Sequence, residues 1–286
     1  MPKPPYSSWM RYFSPTANHR RLGLVCLGVG VQEGLLPVVG PRALDHHVAV
    51  VVGRGRGWFS HGGRPPQQVT APALLWLVPG VEHHYGPDPE TGWDECFVDF
   101  AGRGVEAYTD LGYVTPDRPL VPLSGTEGVR HVVDGIVRAA RRGGPLLEVE
   151  AAAAVHGLLV ALRYARAEVS RHGDAVMDAL ARDALLPISV AEHAARLGIT
   201  LPELRAAVRR STGEGVKEYL LGIRLSRAKE LLARTDLPVA GVARRVGYED
   251  PAYFSRLFSR RVGMAPVRFR RQQSVPQQSV PQPQGR

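Results

Sequence analysis

The segment Asp250–Arg261 interleaves aromatic and basic side chains, with Tyr253, Phe254, Leu257 and Phe258 spaced among Arg256, Arg260 and Arg261. A guanidinium donates two parallel hydrogen bonds to a guanine edge, or pairs with a phosphate, so arginine on a helix face is suited to nucleic acid. The charge distribution agrees. Residues 182–271 carry 18 Lys and Arg against 9 Asp and Glu, while residues 1–181 carry 17 against 18. A localised basic domain beside a neutral one is the electrostatic pattern of nucleic-acid binding. Other chemistries find little to work with. No nucleophile elbow, P-loop or dinucleotide fingerprint occurs, and Cys26 and Cys96 are too few and too far apart for a disulfide scaffold or zinc site. They read as small core residues. His83-His84 invites a metal reading, but neighbours on a strand point to opposite faces. No upstream His-x-His with a carboxylate accompanies the pair, His46-His47 being the nearest candidate. Neither a metal nor a cofactor is expected.

The basic segment needs elements to hold it. Ser189-Val190-Ala191-Glu192 is a capping box that starts a helix, and Gly198 stops it. Thr200-Leu201-Pro202-Glu203 starts a second helix reaching about Ser211. The same grammar recurs in Leu237–Arg261: Pro238 opens a helix that ends at Gly247, and Asp250-Pro251 caps the next. Two short helices around a tight Gly-containing turn form a helix-turn-helix unit, whose second helix can enter a major groove. The second helices start 50 residues apart, at Thr200 and Asp250. Between the units, Gly215–Arg234 reads as one amphipathic helix with Val216, Tyr219, Leu220, Ile223, Ala228, Leu231 and Leu232 on its apolar face. Its length of ~30 Å is close to the ~34–36 Å between successive major grooves on one face of B-DNA.

The front of the chain has a different texture. His46–Val52, Trp58–His61, Gln67–Thr70, Leu74–Val78 and Glu95–Phe100 read as strands. Gly53-Arg54-Gly55-Arg56-Gly57 and Pro79-Gly80 are expected turns, Gly62-Gly63 a hairpin, and Arg20–Val39 a further strand pair. Strands so spaced suggest a small antiparallel barrel or sandwich. Glu127–Arg142 and Leu146–Arg171 read as helices. In the second, Leu147, Ala151, Ala154, Leu158 and Ala165 form a stripe that suits either a dimer seam or packing on the barrel of its own chain. Gln-Gln-Ser-Val-Pro occurs twice in the tail, an expected disordered segment. A length of 286 residues suggests two domains, and a mean hydropathy of −0.13 is that of an ordinary globular chain. No apolar run reaches the ~18–20 residues of a membrane span. The start lacks the apolar stretch of a secretory signal, so the expected location is cytoplasmic, away from membranes.

Asp236-Leu237-Pro238-Val239-Ala240-Gly241-Val242-Ala243, Gly247-Tyr248, Tyr253-Phe254-Ser255-Arg256-Leu257-Phe258, Gly263, Pro266 and Arg270 closely resemble the signature of AraC-type (AraC/XylS) transcriptional regulators. Arg224-Leu225, Ala228 and Leu231-Leu232 resemble that family's linker helix. The sequence departs from the pattern at Val208, usually phenylalanine, and at Gly215 and Ala265, usually Ser or Thr. The resemblance puts Pro202, Arg205 and Ala206 of the first unit, and Ala252, Tyr253 and Arg256 of the second, toward bases. Arg205 and Arg256 are then the candidates for direct readout, with Thr200, Arg209, Arg210 and Arg260 completing the DNA-facing set. In the front half, Leu77–Gly86, Trp93 and Glu95–Phe100 are similar to the cupin-type sensing domain of arabinose regulators. There the pocket uses an arginine, the tyrosine of His-His-Tyr-Gly, and a histidine and tryptophan on the next strand. The matching positions are Arg42, Tyr85, Glu95 and Phe97, beside Trp93. A polar pocket with an aromatic platform suits a small polyhydroxylated ligand.

The fold class expected is therefore α+β multidomain: an N-terminal cupin-like antiparallel β-barrel followed by helices, then an all-α domain with two helix-turn-helix units. The expected divisions are an N-terminal arm over 1–18 that reports occupancy, a sensing barrel over 19–125, a helical dimerisation and linker region over 126–173, a double helix-turn-helix domain over 174–272, and a disordered tail over 273–286. The expected function is sequence-specific transcription regulation, with activation implied by the resemblance, in response to a small ligand. Double-stranded DNA, a small-molecule effector, a second copy of the chain and RNA polymerase are the implied partners. The competing readings are a cupin-type metal-dependent isomerase or dioxygenase with an accessory basic domain, and an architectural DNA binder that needs no ligand.

Overall fold

The structure, a computed structural model, describes residues 6–166 and 173–273. The chain divides into the units Met1–His172 and Gly173–Arg286. The tail beyond 273, the first five residues of the expected arm and residues 167–171 of the expected second long helix lie outside the described residues.

In the first unit the elements run β1 (Tyr6–Tyr12), α1 (Ala17–Arg20), β2 (Val25–Gly34), β3 (Val39–Arg42), β4 (His47–His61), β5 (Gln67–Thr70), β6 (Ala73–Leu77), β7 (His83–Pro87), β8 (Trp93–Ala101), α2 (Gly104–Asp110), β9 (Leu120–Pro122), α3 (Glu127–Arg142) and α4 (Leu147–Ala165). All strand pairs among the described residues are antiparallel. One path runs β1-β2-β8-β4-β6-β9, with β5 and β7 on β4 and β3 on β7. The expected barrel is not closed: β1 and β9 end the path and no described pairing joins them.

The bend of this sheet is the work of β4. Its first part pairs with β6 and β8 and its last part with β5 and β7, with a register shift between Val52 and Arg54. Gly53–Gly57, expected as a turn, therefore lies inside a strand of 15 residues. Arg54 and Arg56 face outward, whereas a Cβ on Gly55 would stand 2.7 Å from Trp93 Cα and one on Gly57 2.2 Å from the Gly86 carbonyl oxygen. Glycine at every second position marks close backbone approach on one face of a strand. The strand pair expected in Arg20–Val39 is likewise corrected. β2 lies between β1 and β8, and β3, which begins only at Val39, pairs with β7 and not with β2. Residues 6–12 of the expected arm are a sheet strand, tied to α3 by the Arg11 guanidinium donating to the Ala140 carbonyl and by Arg141 lying 5.1 Å from the Trp9 ring centre.

One face of the sheet carries Cys26, Val29, Ala49, Val51, Trp76, Val98 and Phe100 beneath Val133 and Ile136 of α3 and Val155, Leu158 and Leu162 of α4. Each large apolar side chain withdrawn from water here contributes about 1.5–3 kcal/mol. Cys26 and Cys96 are buried and unbridged, and burial pushes both thiols up. Leu147, Ala151 and Leu158 belong to this core, with Ala154 and Ala165 packed against it. The stripe read from the sequence thus faces its own sheet. The exposed apolar residues of this region are others: Leu146, at the cap of α4, and Val149, Val160 and Tyr164 along it. At the end of α4 the buried Arg166 donates to the Gly112 carbonyl at 2.7 Å and to that of Tyr113.

The second unit is helical: α5 (Gly173–Asp183), α6 (Val190–Arg196), α7 (Leu201–Thr212), α8 (Val216–Arg234), α9 (Val239–Arg245), α10 (Pro251–Val262) and α11 (Pro266–Gln273). Both capping boxes form. Ser189 N donates to Glu192 Oε2 at 2.7 Å and Thr200 N to Glu203 Oε2 at 2.7 Å, each with the reciprocal bond back to the hydroxyl. Asp250 accepts from Ala252 N at 2.8 Å. The pair α6–α7 recurs as α9–α10, with α9 starting 49 residues after α6 and α10 starting 50 residues after α7. Buried Leu204, Ala207 and Val208 correspond to buried Phe254, Leu257 and Phe258, and α7 and α10 both end on a left-handed glycine, Gly213 at φ 74° and Gly263 at φ 82°. α8 serves both halves: Val216 and Leu220 join the core of α5, α6 and α7, while Ala228, Leu231 and Leu232 join that of α9 and α10. No described helix is long and apolar enough to cross a membrane.

Candidate nucleic-acid interface and sensor face

α7 and α10 bury one face and leave the other to solvent. Leu204, Ala207 and Val208, or Phe254, Leu257 and Phe258, fill the core. Thr200, Pro202, Arg205, Ala206, Arg209 and Arg210 are all exposed in and just before α7, as are Ala252, Tyr253, Arg256 and Arg260 in α10. All ten DNA-facing candidates therefore lie at the surface, although Thr200 also spends its hydroxyl on the helix cap. Three other arginines of this unit are committed to carboxylates. Arg196 pairs with Asp183 at 3.0 Å, Arg227 with Glu230 at 2.7 Å and Arg261 with Glu218 at 2.7 Å. Among the described residues, no hydrogen bond or ion pair engages the side chains of Arg205, Arg209, Arg210, Arg256 or Arg260. A guanidinium without a carboxylate keeps its donors and its charge for an external partner.

The sensor face is the other side of the bent sheet. On β8, Trp93, Glu95, Phe97 and Asp99 point to it, while Cys96, Val98 and Phe100 point to the helices. Tyr85 of β7 stacks on Trp93 with ring centres 6.0 Å apart, and His83 stacks on Tyr85 at 6.4 Å. Arg42, at the end of β3, donates from Nε to His83 Nε2 at 3.3 Å. On the neighbouring strand β2, Gln32 pairs with Glu95 on this face, and glycine stands at the positions paired with Phe97 and Asp99. A Cβ on Gly30 would stand 2.3 Å from the Phe97 ring, and one on Gly28 2.5 Å from Asp99 Oδ2 and 2.8 Å from the Tyr12 ring. Two carboxylates are held out of water here. Burial pushes Glu95 up to about 7, against the pull of the Trp93 side chain and the Arg42 charge. It pushes Asp99 up to about 6, against His46 and Arg42. Burial moves the His83 imidazole the other way, down to about 4, so it is neutral in ordinary buffers. Glu95 Oε2 and Trp93 Nε1 are buried without a hydrogen-bond partner. An acceptor and a donor left so on one face are what a ligand hydroxyl satisfies.

The five ligand candidates Arg42, Tyr85, Trp93, Glu95 and Phe97 therefore share this face. Asp99 and Tyr12, which the sequence does not single out, lie there as well, as does His83, weighed in the sequence only as a metal ligand. Alternation along β8 carries a signal for Asp99, and for His83 the signal is its place two residues before Tyr85. Nothing local in the sequence points to Tyr12. His84, next to His83, turns to the opposite side and packs edge-on against Trp58. Among the described residues no three His, Cys, Asp or Glu side chains converge as metal ligands.

The helix-turn-helix domain model matches residues 193–272, and the AraC-like ligand binding domain model matches residues 36–159. The chain belongs to the AraC-type transcription regulators. It is 28% identical over 249 residues to the arabinose operon regulatory protein of Salmonella typhimurium, across 80% of this chain and 85% of that one. To the arabinose operon regulatory protein of Escherichia coli it is 29% identical over 252 residues, across 80% and 82%. A shorter stretch of 67 residues is 48% identical to the HTH-type transcriptional activator RhaR of an Enterobacter strain, across 23% of this chain and 24% of that one. As an AraC-type regulator the chain is a sequence-specific DNA-binding transcription regulator with a ligand-binding domain. The matched ligand-binding segment takes in Arg42, Tyr85, Trp93, Glu95 and Phe97, and the matched DNA-binding segment all ten surface residues of α7 and α10.

Proposed function

We propose that this AraC-type regulator reads DNA with two helix-turn-helix units, α6–α7 and α9–α10, each placing its second helix in a major groove. Arg205 and Arg256 read guanine edges, Pro202, Ala206, Ala252 and Tyr253 face neighbouring bases, and Thr200, Arg209, Arg210 and Arg260 hold the backbone. The observation that carries this is the set of five arginines on the open faces of α7 and α10 whose side chains make no hydrogen bond or ion pair with the described residues. α8, with 19 residues, spans ~28 Å and suits two successive groove segments. The effector is a small hydroxylated molecule held on the sensor face by Arg42, Tyr85, Trp93, Glu95 and Phe97. The arabinose operon regulators among its relatives support a sugar-like ligand. Two copies of the chain pair through the outward residues Val149, Val160 and Tyr164 of α4, with Leu146 at its cap. The regulator acts by contact with RNA polymerase, more in keeping with activation.

Selection of a randomised duplex pool by the full chain, followed by salt titration, tests the reading. The expected result is enrichment of two short motifs about one helical turn apart. Enrichment of a single motif would limit readout to one unit. Steeply salt-dependent binding with no enriched motif would leave only charge attraction and overturn the proposal.

A further inference from the structure

Arg224 differs from every arginine of the DNA-facing set. It sits within α8, and its guanidinium is committed to the backbone of both halves of the C-terminal unit. Nε donates to the Ala184 carbonyl at 2.7 Å and one terminal nitrogen to the Leu186 carbonyl at 2.6 Å. Both carbonyls lie in the segment joining α5 to α6, on the side of the first helix pair. The other terminal nitrogen reaches the Gly247 carbonyl at 3.5 Å, in the turn between α9 and α10. The guanidinium also lies 5.3 Å from the centre of the Tyr248 ring.

The two halves meet at this same point. A Cβ on Gly247 would stand 2.6 Å from the Leu185 carbonyl oxygen and 3.2 Å from Arg224 Cζ. Leu185 itself packs against the core of α9 and α10. One planar fork thus joins three carbonyls from two segments and stacks on a ring of the second. A lysine ammonium, a compact point charge, cannot span that set.

We infer that Arg224 is a positioning residue for DNA reading: by clamping the segment before α6 to the turn before α10, it fixes the separation of the two recognition helices and so the motif spacing the regulator accepts. This rests on the two-unit reading. Shifting one motif by a base pair moves it about 3.4 Å along the axis and about 35° around it, which a locked pair of helices cannot follow.

The test uses the full chain and the duplex it selects from a randomised pool, plus versions with the two motifs one base pair closer or farther apart and a version with one motif scrambled. Wild type is expected to prefer the selected spacing by ~10-fold or more, because the second contact is lost when geometry forbids simultaneous engagement. In Arg224→Met that preference should fall to about twofold, with binding to the one-motif duplex unchanged. Arg224→Lys, which keeps charge and stem, should fail to restore it. Parallel loss on every duplex, with the preference intact, would make Arg224 merely structural and overturn the inference. Selection of one motif by wild type would instead sink the two-unit reading. Should Arg224→Met not fold, nitroxides on exposed Ala195 and Arg244 give the answer without DNA. Their distance distribution is expected to be narrow in wild type and broad in Arg224→Lys, and equal widths would overturn the clamp.

Discussion

A side chain left without a partner in a folded protein marks unfinished business, and two kinds occur here. Arg205, Arg209, Arg210, Arg256 and Arg260 are exposed charges, so their removal leaves the folded chain's own bonds untouched. Arg205→Ala and Arg256→Ala are each expected to cost ~1–3 kcal/mol on the selected duplex, with relaxed preference at one base position and an unchanged melting temperature. Arg209→Ala, Arg210→Ala and Arg260→Ala should instead weaken all sequences alike and lower the salt slope by about one each. A uniform loss from Arg256→Ala would reassign that residue to phosphate. Glu95 is the second kind, a carboxylate buried without a matching cation. Its folded value of about 7 lies above the ordinary 4.5, so the protonated form is the one the fold favours. Its contribution to stability is complete below pH ~4.5 and is lost as pH rises through ~7, on the order of 3 kcal/mol in all. Asp99, raised to about 6, acts in the same direction. His83, lowered to about 4, acts oppositely and loses its contribution as pH falls from 6.5 toward 4. Glu95→Gln should therefore melt higher than wild type at pH 8 and equally at pH 4. Equal pH slopes for the two would show that Glu95 is hydrated.

The helix pairs share a plan but not a core. At corresponding positions α7 buries Leu204, Ala207 and Val208 where α10 buries Phe254, Leu257 and Phe258. A buried phenylalanine in place of valine removes more apolar surface from water, at roughly 25 cal/mol per Å². Local opening should thus be easier in α7, and hydrogen exchange of the full chain is expected to show its amides exchanging at least ~10-fold faster than those of α10. Matched rates would mean that α5, packed on α7, makes up the difference. These helices are legible in the sequence because their signals are local: the Ser189–Glu192 and Thr200–Glu203 boxes, Asp250-Pro251, and glycines 198, 213 and 263. The sheet is less so. Gly53–Gly57 has the composition of a turn, and only Trp93 and Gly86, distant in sequence, reveal that its glycines admit a neighbouring backbone. α4 fails for another reason. Leu147, Ala151 and Leu158 lie on one side and Val149, Val160 and Tyr164 on another, so periodicity marks apolar residues all round without saying which side meets the sheet. The DNA-facing residues follow from the helix pattern, and Asp99 and His83 from strand alternation with Glu95 and Tyr85, whereas Tyr12 reaches the sensor face through the pairing of β1 with β2, which no local signal encodes.

For the whole molecule, charge and apolar surface are divided between the units. The positive excess lies in residues 182–271, which supplies the nonspecific attraction to DNA. The apolar residues left in water on α4 belong to the first unit, whose own sheet is already covered by Leu147, Ala151 and Leu158. A face of Val149, Val160 and Tyr164 with Leu146 at its end, in a helix whose inner side is satisfied, has the character of a contact between copies of the chain. Val149 is 44% exposed and Val160 38%, so the doubly substituted chain Val149→Glu, Val160→Glu should fold and melt as wild type does. Like charges placed across a self-complementary interface are expected to raise the dimer dissociation constant ~100-fold or more. Sedimentation would then show a monomer at concentrations where wild type is dimeric. Binding to a duplex with one copy of the selected site should be unchanged, while the advantage of two adjacent copies, which depends on tethering two DNA-binding units, should vanish. A variant that still sediments as a dimer would move the interface off α4. A wild type that is monomeric throughout would confine the regulator's reading of DNA to the two units of a single chain.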